Sequence, residues 1–305
     1  MGALATLLRS GEFVVTAEVN PPKSAADGVV RRRGEALRGV VDAVNVTDSN
    51  RAMVAMAAIP AATIVRSAGL EPIVQMTGRD RNRIALQADV LGAAAIGIEN
   101  FVFMSGDDPK QGNHPDAVYV KDLDGVGLVK MAVGMRDQAR FLSGDEIKQP
   151  PKMFVGATAS PFTEPVEADL TKTFEKIAAG ADFLQTQPVF DLATFSRWLI
   201  EVRRGASRNV PILAGVLILR SAEQAERLAK VPGVALGAEV IDQIKKATDP
   251  EAEGVAIAVE IVKELKALPG VRGVHLYAIE WPEAVGRVVE AAGLLPRPEA
   301  RVVVA

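Results

Sequence analysis

A carboxylate stands at the end of an apolar run in FVVTAEV, and a rigid Pro-Pro follows almost at once: Glu18, then Pro21 and Pro22. An acid at the end of a buried strand is partly desolvated, which raises its pKa and suits it to proton transfer near neutral pH. Prolines restrict the loop that follows and so hold the side chain in place. The alternative is a structural ion pair. The strand ends of this chain, however, supply no inward Lys or Arg to make one, which favours the acid–base role. Other polar residues recur two apart near the ends of apolar runs: Thr16 and Glu18, Asn45 and Thr47, Gln75 and Thr77, Ser105 and Asp107, Thr158 and Ser160, Gln185 and Gln187, His275 and Tyr277. That spacing puts both members of a pair on one face of a strand. A hydrated polar layer explains any one pair, but seven together point to a ligand site. Asp107, within SGDDP, reads on its own as a turn residue.

These residues need a frame to converge. Eight short apolar segments read as strands, at 13–19, 42–48, 71–77, 100–106, 152–159, 182–187, 211–217 and 272–277. Segments with apolar residues at three-to-four spacing separate them, such as RIALQADVLGAAAIG and LATFSRWLIEVRRG, and several end in Gly. Alternating strands and helices predict parallel pairing with helical crossovers. Eight such units predict a (β/α)8 TIM barrel, a single domain over residues 1–305, with its site at the C-terminal mouth. An open doubly wound sheet would carry a glycine-rich phosphate loop after its first strand, and VNPPKS is unlike one.

Composition narrows the chemistry. The 305 residues carry a net charge of −3, which does not suggest a nucleic-acid partner. There is no cysteine, so disulfides, thiolate catalysis and cysteine-ligated clusters are excluded within the chain. The two histidines, His114 and His275, make a histidine metal site an unfavoured reading. MGALATLLRSGEF does not read as a signal peptide, and no apolar run suits a bilayer span. The expectation is a cytoplasmic protein with no membrane partner.

AEVNPP, VNVTD, VQMT, SGDDP, the ADL…EKIAAGADFLQTQPVFD block and VHLYAIE occur in that order at the predicted strand ends. In this the chain resembles methylenetetrahydrofolate reductases over nearly its whole length. Its AEVNPPKS and RDRNRIALQ wording is similar to the divergent branch of anaerobes and acetogens. The resemblance implies that a reduced flavin, FAD or alternatively FMN, passes a hydride to 5,10-methylenetetrahydrofolate to give 5-methyltetrahydrofolate. It implies that Glu18 protonates N10 and that Asp107 sits beside flavin and pterin. Gln187 and Tyr277 match substrate-side positions. Thr47, Gly106, Tyr119, Asp169 and Lys176 match cofactor-side ones.

Some positions depart from the family pattern. Gln75 stands for a His, Ser105 for an Arg, and Lys172 and Glu175 for an Asn and an Arg. Thr158-Ala159-Ser160-Pro161-Phe162 replaces a Tyr-Pro-Glu-x-His-Pro run. Leu228, on the substrate side, stands for an aromatic. These departures bear on the adenosine half of FAD and on direct use of NAD(P)H as electron donor. They leave room for an iron–sulfur partner subunit; a homo-oligomer is a further expectation. The competing readings are a tetrahydrofolate-dependent methyltransferase without flavin, a non-catalytic folate-binding homologue, and a phosphate-sugar enzyme of the same fold.

Overall fold

The computed structural model describes residues 2–231 and 233–300. Eight parallel strands close into one barrel in sequence order: β1 (Val14–Val19), β2 (Ala43–Val46), β3 (Pro72–Thr77), β4 (Asn100–Met104), β5 (Phe154–Ala159), β6 (Phe183–Pro188), β7 (Ile212–Leu217) and β8 (Val271–Tyr277). Closure is made by β1 and β8, where Thr16 lies opposite His275. All eight predicted strands are present, with ends shifted by two residues at most. Outward residues such as Val44, Val74, Phe101 and Leu276 are fully or almost fully buried against the surrounding helices. The helices are α1 (Ala3–Ser10), α2 (Asp27–Glu35), α3 (Ala58–Ser67), α4 (Arg83–Ala95), α5 (Gly125–Asp137), α6 (Val166–Ala178), α7 (Leu192–Gly205), α8 (Ala222–Leu228), α9 (Ala238–Lys246), α10 (Pro250–Ala267) and α11 (Glu283–Ala291). None of them is long and apolar enough to cross a membrane.

The barrel interior is layered. At its N-terminal end, Leu4, Leu7 and Leu8 of α1 pack with Val14, Ala43, Ile73, Val102, Phe154, Phe183 and Leu213. Thus α1 plugs the floor. Glu71 holds the plug: its carboxylate accepts from the backbone N–H of Ala3 at 2.5 Å and of Leu4 at 3.2 Å, and from the Asn100 amide at 2.7 Å. A carboxylate on the first N–H groups of a helix satisfies donors that have no partner within the helix. Above the floor lies a buried polar layer. Asn45 and Gln185 exchange two hydrogen bonds, at 2.7 and 3.2 Å, and Thr16 is bonded to Nδ1 of His275 at 2.9 Å. Burial pushes His275 down to about 3, so its ring is neutral near pH 7.

One predicted pair departs from this alternation. Strand β4 ends at Met104, and its inward residues are Val102 and Met104, while Phe101 and Phe103 pack outward. Ser105 and Asp107 therefore lie beyond the strand. The chain turns at Gly106, whose φ of 84° is a left-handed conformation that favours glycine.

Candidate functional site

The C-terminal mouth opens into a cavity of about 310 Å³. Nine of the predicted residues line it: Gln75, Ser105, Gly106, Asp107, Thr158, Asp169, Lys172, Lys176 and Gln187. Several are held by nearby elements. Ser105 accepts from the Gly125 N–H at the start of α5, 3.1 Å away. Lys176 reaches from α6 to donate to the Thr158 carbonyl at 2.7 Å, and burial lowers its pKa. Asp169 accepts from the Ser160 N–H at 2.8 Å and from the Trp198 indole at 2.9 Å, so it joins α6, α7 and the end of β5. Asp107 is exposed at the rim and accepts from the Arg51 N–H at 3.1 Å.

Gly106 has a second constraint besides its φ. A Cβ there would come within 3.0 Å of the Cβ atoms of Thr77 and Arg79. The Tyr119 hydroxyl donates to the Gly106 carbonyl at 3.1 Å, so Tyr119 buttresses the turn from outside the cavity lining.

Sequence reasoning missed two charged residues of this wall. Arg79, only 2% exposed, lines the cavity and pairs with Asp80 at 2.6 Å. Asp48 lines it too, accepting from the N–H and hydroxyl of Thr77, each at 2.9 Å, and pairing with Arg81. Arg79 continues the alternation of Gln75 and Thr77, and that continuation was the available signal. With Lys172 and Lys176 it brings three cations to the wall where the Gly106 backbone comes close. These cations could hold an anionic group such as a phosphate, while Asp48, Asp107 and Asp169 bring carboxylates to the same cavity.

Glu18 lies in a different place. It lines a separate small pocket with Asn20, Arg33, Ala278, Glu280 and Pro282. Its carboxylate accepts from the Asn20 amide at 3.3 Å. Asn20 is itself fixed on two sides: it accepts from the Thr47 hydroxyl at 2.9 Å, and its carbonyl accepts from Arg33 at 2.5 Å. The loop continues through Pro21 and Pro22, and the Pro22 carbonyl accepts from the Met56 N–H at 2.9 Å. This is what the acid followed by Pro-Pro builds: a carboxyl near the end of β1, bonded by a loop residue that is itself pinned by Thr47 just after β2 and by Arg33 of α2. Thr47 belongs to this support and does not line the main cavity. Arg33, the cation that shares this small pocket, comes from α2 and not from a strand. Burial pushes the Glu18 carboxyl up to about 7, with the Asn20 hydrogen bond opposing the rise. Tyr277 stands nearby, its hydroxyl donating to the Thr186 carbonyl at 3.0 Å; burial, and then the Glu18 charge, push its pKa far up. Leu228 is apart from both pockets. It packs in an apolar cluster with Leu217, Ile244 and Phe190, which Tyr277 also touches.

A closed (β/α)8 barrel with a polar cavity at its C-terminal mouth is the architecture of a small-molecule enzyme of the TIM-barrel class. The chain belongs to the methylenetetrahydrofolate reductase family, whose model matches residues 3–293. It is 28% identical over 245 residues to the 5,10-methylenetetrahydrofolate reductase of Pectobacterium carotovorum, covering 77% of this chain and 74% of that protein. Methylenetetrahydrofolate reductase 1 of Schizosaccharomyces pombe is 32% identical over 124 residues, 39% of this chain, and reductase 2 of the same yeast is 23% identical over 214 residues, 67% of this chain. The matches span only 20% and 33% of those two yeast proteins. Among solved structures, a Clostridium thermocellum protein that binds two copies of 5-methyl-5,6,7,8-tetrahydrofolic acid superposes with a TM-score of 0.68 at 13% identity. The superposition covers 96% of this chain and 99% of that one, and it supports the fold.

Proposed function

We propose that this chain reduces 5,10-methylenetetrahydrofolate to 5-methyltetrahydrofolate with a flavin held at the barrel mouth. The observation that carries the proposal is Glu18: a buried carboxyl, fixed by Asn20, whose pKa of about 7 keeps a large fraction of it protonated at neutral pH. The five-membered ring of the substrate opens only when N10 is protonated, and an acid poised near neutrality suits that transfer. Neither folate binding alone nor a structural role calls for such a group. Family membership supplies the reaction, and the wall formed by Arg79, Lys172, Lys176 and the Gly106 turn suits a flavin with its phosphate.

When bound, the flavin supplies a hydride. Everything else falls to the protein. Glu18, near the C-terminal end of β1, gives its proton to N10 of a folate that reaches across the barrel mouth from the main cavity. Asp107, at the rim, places negative charge near the cation formed by ring opening. Gln187 offers both a donor and an acceptor to the pterin edge. Lys172, Lys176 and Arg79 hold the phosphate end, either of FMN or of the inner part of FAD. Thr47 braces Asn20, which bonds the acid, and Tyr277 is fixed on the Thr186 carbonyl.

The deciding experiment is Glu18→Gln in the flavin-loaded protein. Flavin reduction by a dye donor should be unchanged, because that half-reaction needs no N10 proton. Reoxidation by methylenetetrahydrofolate should slow by roughly a hundredfold or more. Wild-type folate turnover in the variant would remove Glu18 from the mechanism.

A further inference from the structure

We propose that the small pocket between Glu18 and Glu280 is a proton-entry path, separate from the main cavity, through which Glu280 and one water return a proton to Glu18 after each turnover. This rests on the reductase reading above. In that reaction the O–H bond of Glu18 breaks and an N–H bond forms at N10. A hydride from the reduced flavin then forms the new C–H bond, and the flavin is oxidised. The product keeps both hydrogens, so Glu18 is left as a carboxylate and one proton must come from solvent. The balance of this leg is proton transfer alone: a buffer acid or hydronium protonates Glu280, and Glu280 passes the proton through water to Glu18.

The geometry separates this path from the substrate route. Glu18 is 8% exposed and does not line the main cavity. It lines a pocket of about 10 Å³ together with Asn20, Arg33, Ala278, Glu280 and Pro282. That is on the order of the space one water needs, with polar groups on both sides to bond it. Glu280 bridges to bulk solvent: its side chain is 75% exposed, and Arg33 holds it from 3.9 Å. Arg33 in turn is bonded to the Asn20 carbonyl, so the pocket mouth and the loop that follows the acid are tied together. The other ionisable neighbour, Tyr277, is a poor relay because its hydroxyl proton is committed to the Thr186 carbonyl. Glu280 also has a φ of 53°, a left-handed conformation that costs a residue with a side chain and that glycine adopts freely.

That backbone makes a clean test. Glu280→Gly removes the carboxyl while relaxing the turn, so lost activity cannot be put down to failed folding; Glu280→Gln serves as a second variant. Flavin-loaded protein, reduced with a viologen dye, is mixed with methylenetetrahydrofolate in weak buffer at pH 6, below the Glu18 pKa of about 7, so that the acid starts protonated. The first turnover, which uses the proton already on Glu18, should run at the wild-type rate in both variants. Later turnovers should slow on the order of tenfold, and small buffer acids such as imidazole should restore them. Unchanged steady-state turnover in both variants would overturn the proposal, as would equal slowing of the first and later turnovers. If reduced wild-type protein is not reoxidised by folate at all, the reductase reading fails and the relay falls with it.

Discussion

Glu18 works against the stability of the fold that holds it. Its pKa rises from an ordinary 4.5 to about 7 because burial penalises the charge. The folded protein therefore binds this proton more tightly than the unfolded chain does. The resulting stabilisation is complete below pH 4.5 and is lost as pH rises through about 7. The gap corresponds to about 3 kcal/mol by pH 8. Glu18→Gln keeps the shape without the charge, so urea denaturation should show a variant more stable than wild type at pH 8 by up to that amount, and little different at pH 4. An equal effect at both pH values would mean that Glu18 does not titrate as described. On the proposed mechanism the same group would set the rate: reoxidation of the reduced flavin by folate should fall as pH climbs above about 7, while reduction by a dye should not follow that curve. At this scale the sequence was informative about Glu18, since an acid at a strand end before Pro-Pro has few structural uses. It was silent on Asn20 and Arg33, because their roles depend on where a loop and a helix meet.

At the scale of elements, the plug formed by α1 carries a separate prediction. Leu4, fully buried in the barrel floor, has no counterpart at the mouth. Leu4→Ala should cost about 2–5 kcal/mol in a denaturant titration, the range for a buried leucine that leaves a cavity. Flavin affinity of the folded variant should stay near wild type, because the cavity opens at the other end. Equal losses in both would show that the two ends of the barrel are not independent. The eight strands were legible because each is a short apolar run between turn formers. The helix α1 was not recognised, although Leu4, Leu7 and Leu8 fall at three-to-four spacing before Gly11; the segment was weighed only as a targeting signal. Its partner Glu71 lies 67 and 68 residues away from the N–H groups it caps, a contact that only closure of the barrel creates. The β4 register was misjudged for a similar reason. Alternation holds within a strand, and the strand stops at Met104, before the Gly106 turn.

At the scale of the whole molecule the open question is the source of electrons. Leu228 sits in the apolar cluster beside α8 and α9 and presents no aromatic face to the cavity. We therefore expect the isolated, flavin-loaded chain to turn over folate with a viologen dye, and to be reduced only slowly by NADH or NADPH unless a second protein is present. Anaerobic stopped-flow mixing checks this; rapid bleaching of the flavin by either nucleotide alone would show a self-sufficient reductase. The floor plug bears on the order of events as well. Because α1 seals one end, the barrel is a cup with a single rim, and whatever donates electrons to the bound flavin must arrive by the side from which folate arrives. Donor and folate then queue for one berth. Folate in large excess should act as its own obstruction, occupying the oxidised enzyme and delaying its recharging, so that turnover passes through a maximum as folate rises and more donor moves that maximum upward.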